Sequence, residues 1–104
     1  VSGTINQQAV VFLLDTGATH VAVPSSLVQR LQLKRGRQQQ VTTANGIATA
    51  YSTEINKLSF GNITLRNVKA SINPGMNGDV ILLGMSALKQ LEFSQKGDLL
   101  ILRQ

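Results

Sequence analysis

The chain has 104 residues, 42% of them hydrophobic, which bounds it to one small domain with a single core and excludes a disordered class. It contains no cysteine and one histidine, His20, so a disulfide framework, a thiolate nucleophile and a multi-histidine metal centre within one chain are excluded. The net charge of +5 gathers partly in Arg30, Lys34, Arg35 and Arg37, without interleaved aromatics, and reads as a solvated loop running into Gln38-Gln39-Gln40 rather than a nucleic-acid surface.

In chain order, Thr4 to Asn6 and Ala9 to Leu14 flank Gln7-Gln8 at a spacing that suits a hairpin. The apolar run Val10-Val11-Phe12-Leu13-Leu14 predicts a strand covered on both faces. Val21-Ala22-Val23 is a short strand stopped by Pro24. Pro24-Ser25-Ser26 then opens a helix with Leu27, Val28 and Leu31 on one face. From Val41 to Leu58 the chain is rich in Thr, Ile, Ala and Tyr and is broken by Asn45-Gly46, a strong two-residue hairpin signal. Small side chains around that turn suit a mobile cover better than a structural layer. From Ile63 to Ile72 the apolar phase moves from odd to even positions, predicting a bulge or break near Arg66-Asn67. Residues 73–78 form a loop. Val80-Ile81-Leu82-Leu83 is a second apolar strand, ending at Gly84 and leading into a helix with Met85, Leu88 and Leu91 on one face and Glu92 at its end. This repeats the pattern of the first half and hints at an internal duplication. Lys96-Gly97-Asp98 turns the chain into a terminal apolar strand, Leu99 to Leu102, which invites pairing in its own sheet or with another chain.

Chemistry concentrates at Asp15-Thr16-Gly17-Ala18. A carboxylate at the end of an apolar strand is partly desolvated and available for general acid and base work. Thr-Gly supplies a hydroxyl and a permissive backbone for a sharp turn. An Asp that merely accepts hydrogen bonds from its own turn fits the same tripeptide.

Three elements in this order, Asp15-Thr16-Gly17-Ala18 after an apolar strand, a hairpin around Asn45-Gly46, and Leu82-Leu83-Gly84 opening a helix, resemble the retropepsin-like aspartic proteases of the single-lobe class. The stretches Thr42 to Gly46 and Leu83 to Leu88 are closer to the bacterial, often membrane-anchored branch than to viral enzymes. The resemblance covers nearly the whole chain. It implies an all-β, single-lobe retropepsin-like acid protease fold with a flap hairpin and one or two short helices, as one domain over residues 1–104. It further implies an aspartic endopeptidase acting on peptides or proteins, in which water is activated between the Asp15 carboxylates of a homodimer, favoured at mildly acidic pH and with an apolar substrate preference. Asp15 would be the catalytic acid, Thr16 would brace the two active-site loops across the dimer, and Gly17 would let substrate backbone pass. Leu13, Ala18, Thr19, Val80 and Leu82 would contact substrate, with Ala44, Asn45, Gly46 and Ile47 at the flap tip. For the apolar members, core packing is the competing reading. No cofactor or metal is implied.

Viral members commonly pair an acid just after Asp-Thr-Gly with an Arg after the Leu-Gly, whereas this chain has Thr19 or His20 and Met85 there. A catalytically silent peptide-binding or dimerisation module is the alternative. The chain begins at Val1 rather than Met and reads as an excised domain, so a membrane anchor would lie outside it and the expected setting is the periplasm or cell envelope.

Overall fold

The first hairpin sets the geometry of everything after it. β1 (Ser2–Ile5) pairs antiparallel with β2 (Gln8–Leu14) in the register Ile5↔Gln8. The turn is therefore Asn6-Gln7, one residue earlier than the expected Gln7-Gln8. Both turn residues have positive φ, 49° and 72°, as a hairpin turn whose twist matches its strands requires. Tertiary bonds hold this unfavoured backbone. Asn6 donates from Nδ2 to the Leu31 carbonyl at 2.9 Å, and its Oδ1 accepts from the Lys57 N–H at 3.2 Å.

The computed structural model describes residues 1–43, 46–96 and 99–103. After β2 come β3 (Val21–Pro24), a 3₁₀ turn at Ser25–Leu27, β4 (Gln38–Thr43), β5 (Gly46–Phe60), β6 (Ile63–Asn73), β7 (Val80–Leu83), the short helix α1 (Met85–Leu88), β8 (Glu92–Lys96) and β9 (Leu99–Arg103). The ring β1-β2-β7-β3-β6-β5 closes on itself because β1 also pairs with β5, with β4 laid outside it on β5. Closure removes the exposed edges that an open sheet would carry. The fold is all-β and retropepsin-like, as expected. β8 and β9 pair separately with each other, so Glu92 begins a strand rather than ending a helix.

The core fills the ring. Phe12 meets Phe60 with ring centroids 5.8 Å apart in a tilted pair, surrounded by Ile5, Leu58, Ile81 and Leu83, all fully buried. Leu27 and Leu31 join the core and Val28 packs against it, as expected, and Leu33 is buried with them, although the predicted helix is only a 3₁₀ turn followed by further turns. The expectation that β2 is covered on both faces is wrong: Val11 and Leu13 are 47% and 59% exposed. Val10 and Phe12 enter the barrel, while Val11 and Leu13 face outward.

The phase change in β6 is real but involves no inserted residue. Ile63 and Leu65 are buried on one side of it, Val68, Ala70 and Ile72 on the other. Yet the register runs unbroken from Phe60↔Ile63 through Lys57↔Arg66 to Ile55↔Val68 and Tyr51↔Ile72. β5 shifts phase at the same level, from Leu58 to Ile55, so both strands turn their faces together and Asn67 absorbs the twist at φ 53°. The strand-rich stretch expected from Val41 begins three residues earlier, with Gln38 to Gln40 in β4, and Gly46, expected in a turn, pairs with Thr43 at the start of β5. The flap-tip residues Ala44 and Asn45 lie outside the described residues.

Candidate active site

β2 and β7 run parallel with aligned ends, Leu14 opposite Leu83, so Asp15 and Gly84 leave the sheet side by side. The Asp15 N–H donates to the Leu83 carbonyl at 3.1 Å. The chain then turns sharply: the Ala18 N–H donates to the Asp15 carbonyl at 3.1 Å, and the Gly17 N–H to Asp15 Oδ1 at 3.0 Å. Asp15 is half-buried, while Thr16 and Gly17 are exposed. One carboxylate oxygen is thus held by its own loop.

The loop from Asp15 to His20 is held from below by the start of α1. A Cβ on Gly84 would collide with the His20 carbonyl oxygen and lie 2.8 Å from that of Ala18, so only glycine permits the approach. The Met85 and Ser86 N–H groups donate to the Ala18 and Thr19 carbonyls, each at 2.8 Å. Buried Ser86 completes the brace: its hydroxyl accepts from the Val21 N–H at 3.0 Å and donates to the Lys69 carbonyl at 2.6 Å. Ser86 therefore ties the loop, through its N–H, to β3 and β6, through its hydroxyl. Ser86 was not singled out from the sequence, because nothing local marks a serine in a short helix as a tertiary bridge.

An open groove of about 740 Å³ starts at this loop. Of the sequence-predicted residues, Asp15, Gly17, Ala18, Thr19 and Leu82 line it. Thr16, Leu13, Val80, Gly46 and Ile47 do not. Leu13 and Val80 instead share the outer face of β2 and β7 with Val11, where the pairing sets Val11 beside Val80 and Leu13 beside Leu82. The rest of the groove comes from His20, which the sequence offered only at the place of the viral acid, and from residues it did not flag: Ala22, Gln39 to Val41 of β4, Ser71 and Asn73 of β6, and Met76. The parallel pairing of β3 with β6, Ala22 opposite Ser71, brings them together, and such long-range pairings leave no local signal. Among the described residues, no three His, Asp or Glu side chains gather in a way that could hold a metal ion.

A closed barrel with an Asp-Thr-Gly loop braced on a Leu-Gly turn defines a retropepsin-like protein, and comparisons with known proteins agree. Residues 1–90 match the family described as "gag-polyprotein putative aspartyl protease", and the chain belongs to that family. Over 97 residues it is 34% identical to an uncharacterized protein in the cobV 5′ region of a Sinorhizobium species, covering 90% of this chain and 42% of the relative. It is 31% identical to an uncharacterized protein of Rickettsia prowazekii (strain Madrid E), covering 98% of this chain and 45% of the relative. The chain thus spans less than half the length of these two curated relatives. Among solved structures it resembles a retropepsin-like aspartic protease from Rickettsia conorii, with TM-score 0.74 and 31% identity over 96% of this chain and 85% of that one. EIAV protease complexed with the inhibitor HBY-793 shares the fold, with TM-score 0.66 and 22% identity over 86% of this chain and 84% of that one.

Proposed function

We propose that this chain is one half of an aspartic endopeptidase that cleaves peptide bonds with water activated between the Asp15 carboxylates of two copies. The carrying observation is Asp15 itself, half-buried at the end of the groove on a loop braced by Gly84 and Ser86. Aspartic-protease chemistry needs two acids that share one proton, because two like charges in contact cannot both ionise. One carboxylate takes a proton from water as it attacks the peptide carbonyl, and the protonated one donates to the carbonyl oxygen. Within the protomer, Glu54 and Asp79 are exposed and neither lines the groove. A second copy, related by a two-fold axis, is the simplest source of the second acid.

The outward apolar residues Val11, Leu13 and Val80 support the same reading. Such a face on a monomer marks an interaction surface, here shared between substrate and partner. Exposed Thr16 would brace the loops across the axis, Gly17 would admit substrate backbone, and Ala18, Thr19 and Leu82 would contact substrate. Ala44 to Ile47 would form the flap tip.

The Gly17-to-Asp15 hydrogen bond would equally serve a silent peptide-binding module, and turnover separates the two. Digestion of a disordered protein mixture across acidic to neutral pH, read by mass spectrometry, is expected to show cuts with the native protein and none with Asp15→Asn. Asp15→Asn should keep its fold by circular dichroism. Cuts that persist in the variant would dismiss the aspartic mechanism.

A further inference from the structure

The groove that Asp15 lines also carries polar side chains that the proposed chemistry does not use. Ser71 and Asn73 of β6 stand there with Gln39 and Gln40 of β4. Among the described residues, Asn73 Oδ1 is buried and has no hydrogen-bond partner, while its Nδ2 donates to Met76 Sδ at 3.5 Å. Sulfur is a weak acceptor. Turning the amide by 180° exchanges its oxygen and nitrogen, so in either orientation a strong hydrogen-bonding group is left without a strong partner. Buried polar groups are nearly always satisfied, so an exception on a residue that lines the groove is a place for a bound group to supply the missing hydrogen bond. Thr53 Oγ1 is also buried and unpartnered, but Thr53 does not line the groove.

What touches the Asn73 amide is movable. Met76 is half-buried on the turn after β6, its N–H donating to the Asn73 carbonyl at 3.1 Å. Its unbranched side chain can change rotamer without disturbing that backbone bond. Displacing the sulfur would exchange a weak hydrogen bond for strong ones.

We propose that Asn73 is a specificity-determining residue that selects a substrate side chain bearing a carboxamide, that of Asn or Gln, with Met76 moving aside to admit it. A carboxamide carries donor and acceptor together and so matches the Asn73 amide in either orientation, whereas a carboxylate or ammonium group supplies only one of the two. This inference rests on the groove beside Asp15 being the peptide site. It replaces the purely apolar preference expected from the sequence with a mixed one, apolar near Leu82 and polar at Asn73.

The test reads binding and cleavage separately. Fluorescence anisotropy on Asp15→Asn protein, which need not turn over, compares decapeptides in which one position at a time is Asn, Gln, Leu or Met. Carboxamide peptides are expected to bind about tenfold more tightly than their aliphatic counterparts at one position. That preference should vanish in Asp15→Asn/Asn73→Leu and survive in Asp15→Asn/Met76→Ala. Asn73→Leu should also resist urea at least as well as the native protein, because it removes an unpaired buried polar group. Asn73→Ala is the second variant if leucine overpacks the site. Equal binding of carboxamide and aliphatic peptides, or a preference unchanged by both Asn73 variants, would overturn the proposal. Native protein that cleaves nothing while the preference persists would remove the peptidase reading alone, and cleavage without the preference would remove this one alone.

Discussion

Ser86 shows how one residue can hold the Asp15–His20 loop in place without lining the groove. Its hydroxyl satisfies both the Val21 N–H and the Lys69 carbonyl, and Val21 is fully buried, so no water can replace the lost acceptor. Ser86→Ala should therefore cost about 1–3 kcal/mol of stability, the penalty of leaving buried polar groups unpaired, read from the shift in urea midpoint. An unchanged midpoint would mean that the loop is held by the Met85 and Ser86 N–H groups alone. At this scale the sequence was partly legible. Asp15, Gly17 and Gly84 stood out because strand ends and turns have local signatures. Ser86 and Asn73 did not, because their importance lies in partners seventeen or more residues away, or in the lack of one.

Among the elements, the β4–β5 hairpin is anchored at its base by a segment that reads locally as a basic loop. The Gly36 N–H donates to the Ser52 carbonyl at 2.7 Å, the Ser52 N–H to the Arg37 carbonyl at 2.8 Å, and the Arg37 N–H to Ser52 Oγ at 2.9 Å. Arg35 stacks its guanidinium over the Tyr51 ring, 4.3 Å from the centroid. A Cβ on Gly36 would lie 2.6 Å from Ser52 Oγ and 2.8 Å from the Ser52 carbonyl oxygen. Gly36→Ala should thus pry the base open at a cost of about 1–3 kcal/mol, with faster amide exchange at Gly36 and Ser52 than in the barrel strands. Exchange as slow as in the native protein would show that the strands can shift to accept the methyl. The charge cluster hid this segment because exposed basic residues usually signal a solvated loop, and only the pairing with β5 distinguishes the two. The break in β6 was visible from its apolar phase, but the register-preserving shift in both strands needed β5 beside it.

For the whole molecule, the outward face of β2 and β7 and Asp15, the one acid among the described residues that line the groove, lead to the same expectation about assembly. If two copies each supply an Asp15, mixing native protein with excess Asp15→Asn should poison activity. With random exchange, fully native dimers fall as the square of the native fraction. Activity measured at constant total protein should follow that curve. A linear fall would mean that each chain works alone. Leu13 was expected to line a subsite; within one chain it lies outside the groove, on an exposed apolar face beside Leu82.

By itself the sequence determined the pieces whose causes are local: the apolar runs that became β2 and β7, the Asp-Thr-Gly turn, the Gly84 that admits the loop, and the long hairpin. It could also locate the phase change in β6, because burial alternates with strand period. Tertiary structure alone decided which face of β2 looks outward, since that depends on what the barrel places against it. It decided that Asn6 and Gln7 could hold left-handed backbone, because Leu31 and Lys57 bind Asn6 from elsewhere in the chain. It also made the far wall of the groove from β3, β4 and β6. Those strands meet through barrel closure and long-range pairing, whose energetics depend on contacts between residues far apart in the sequence.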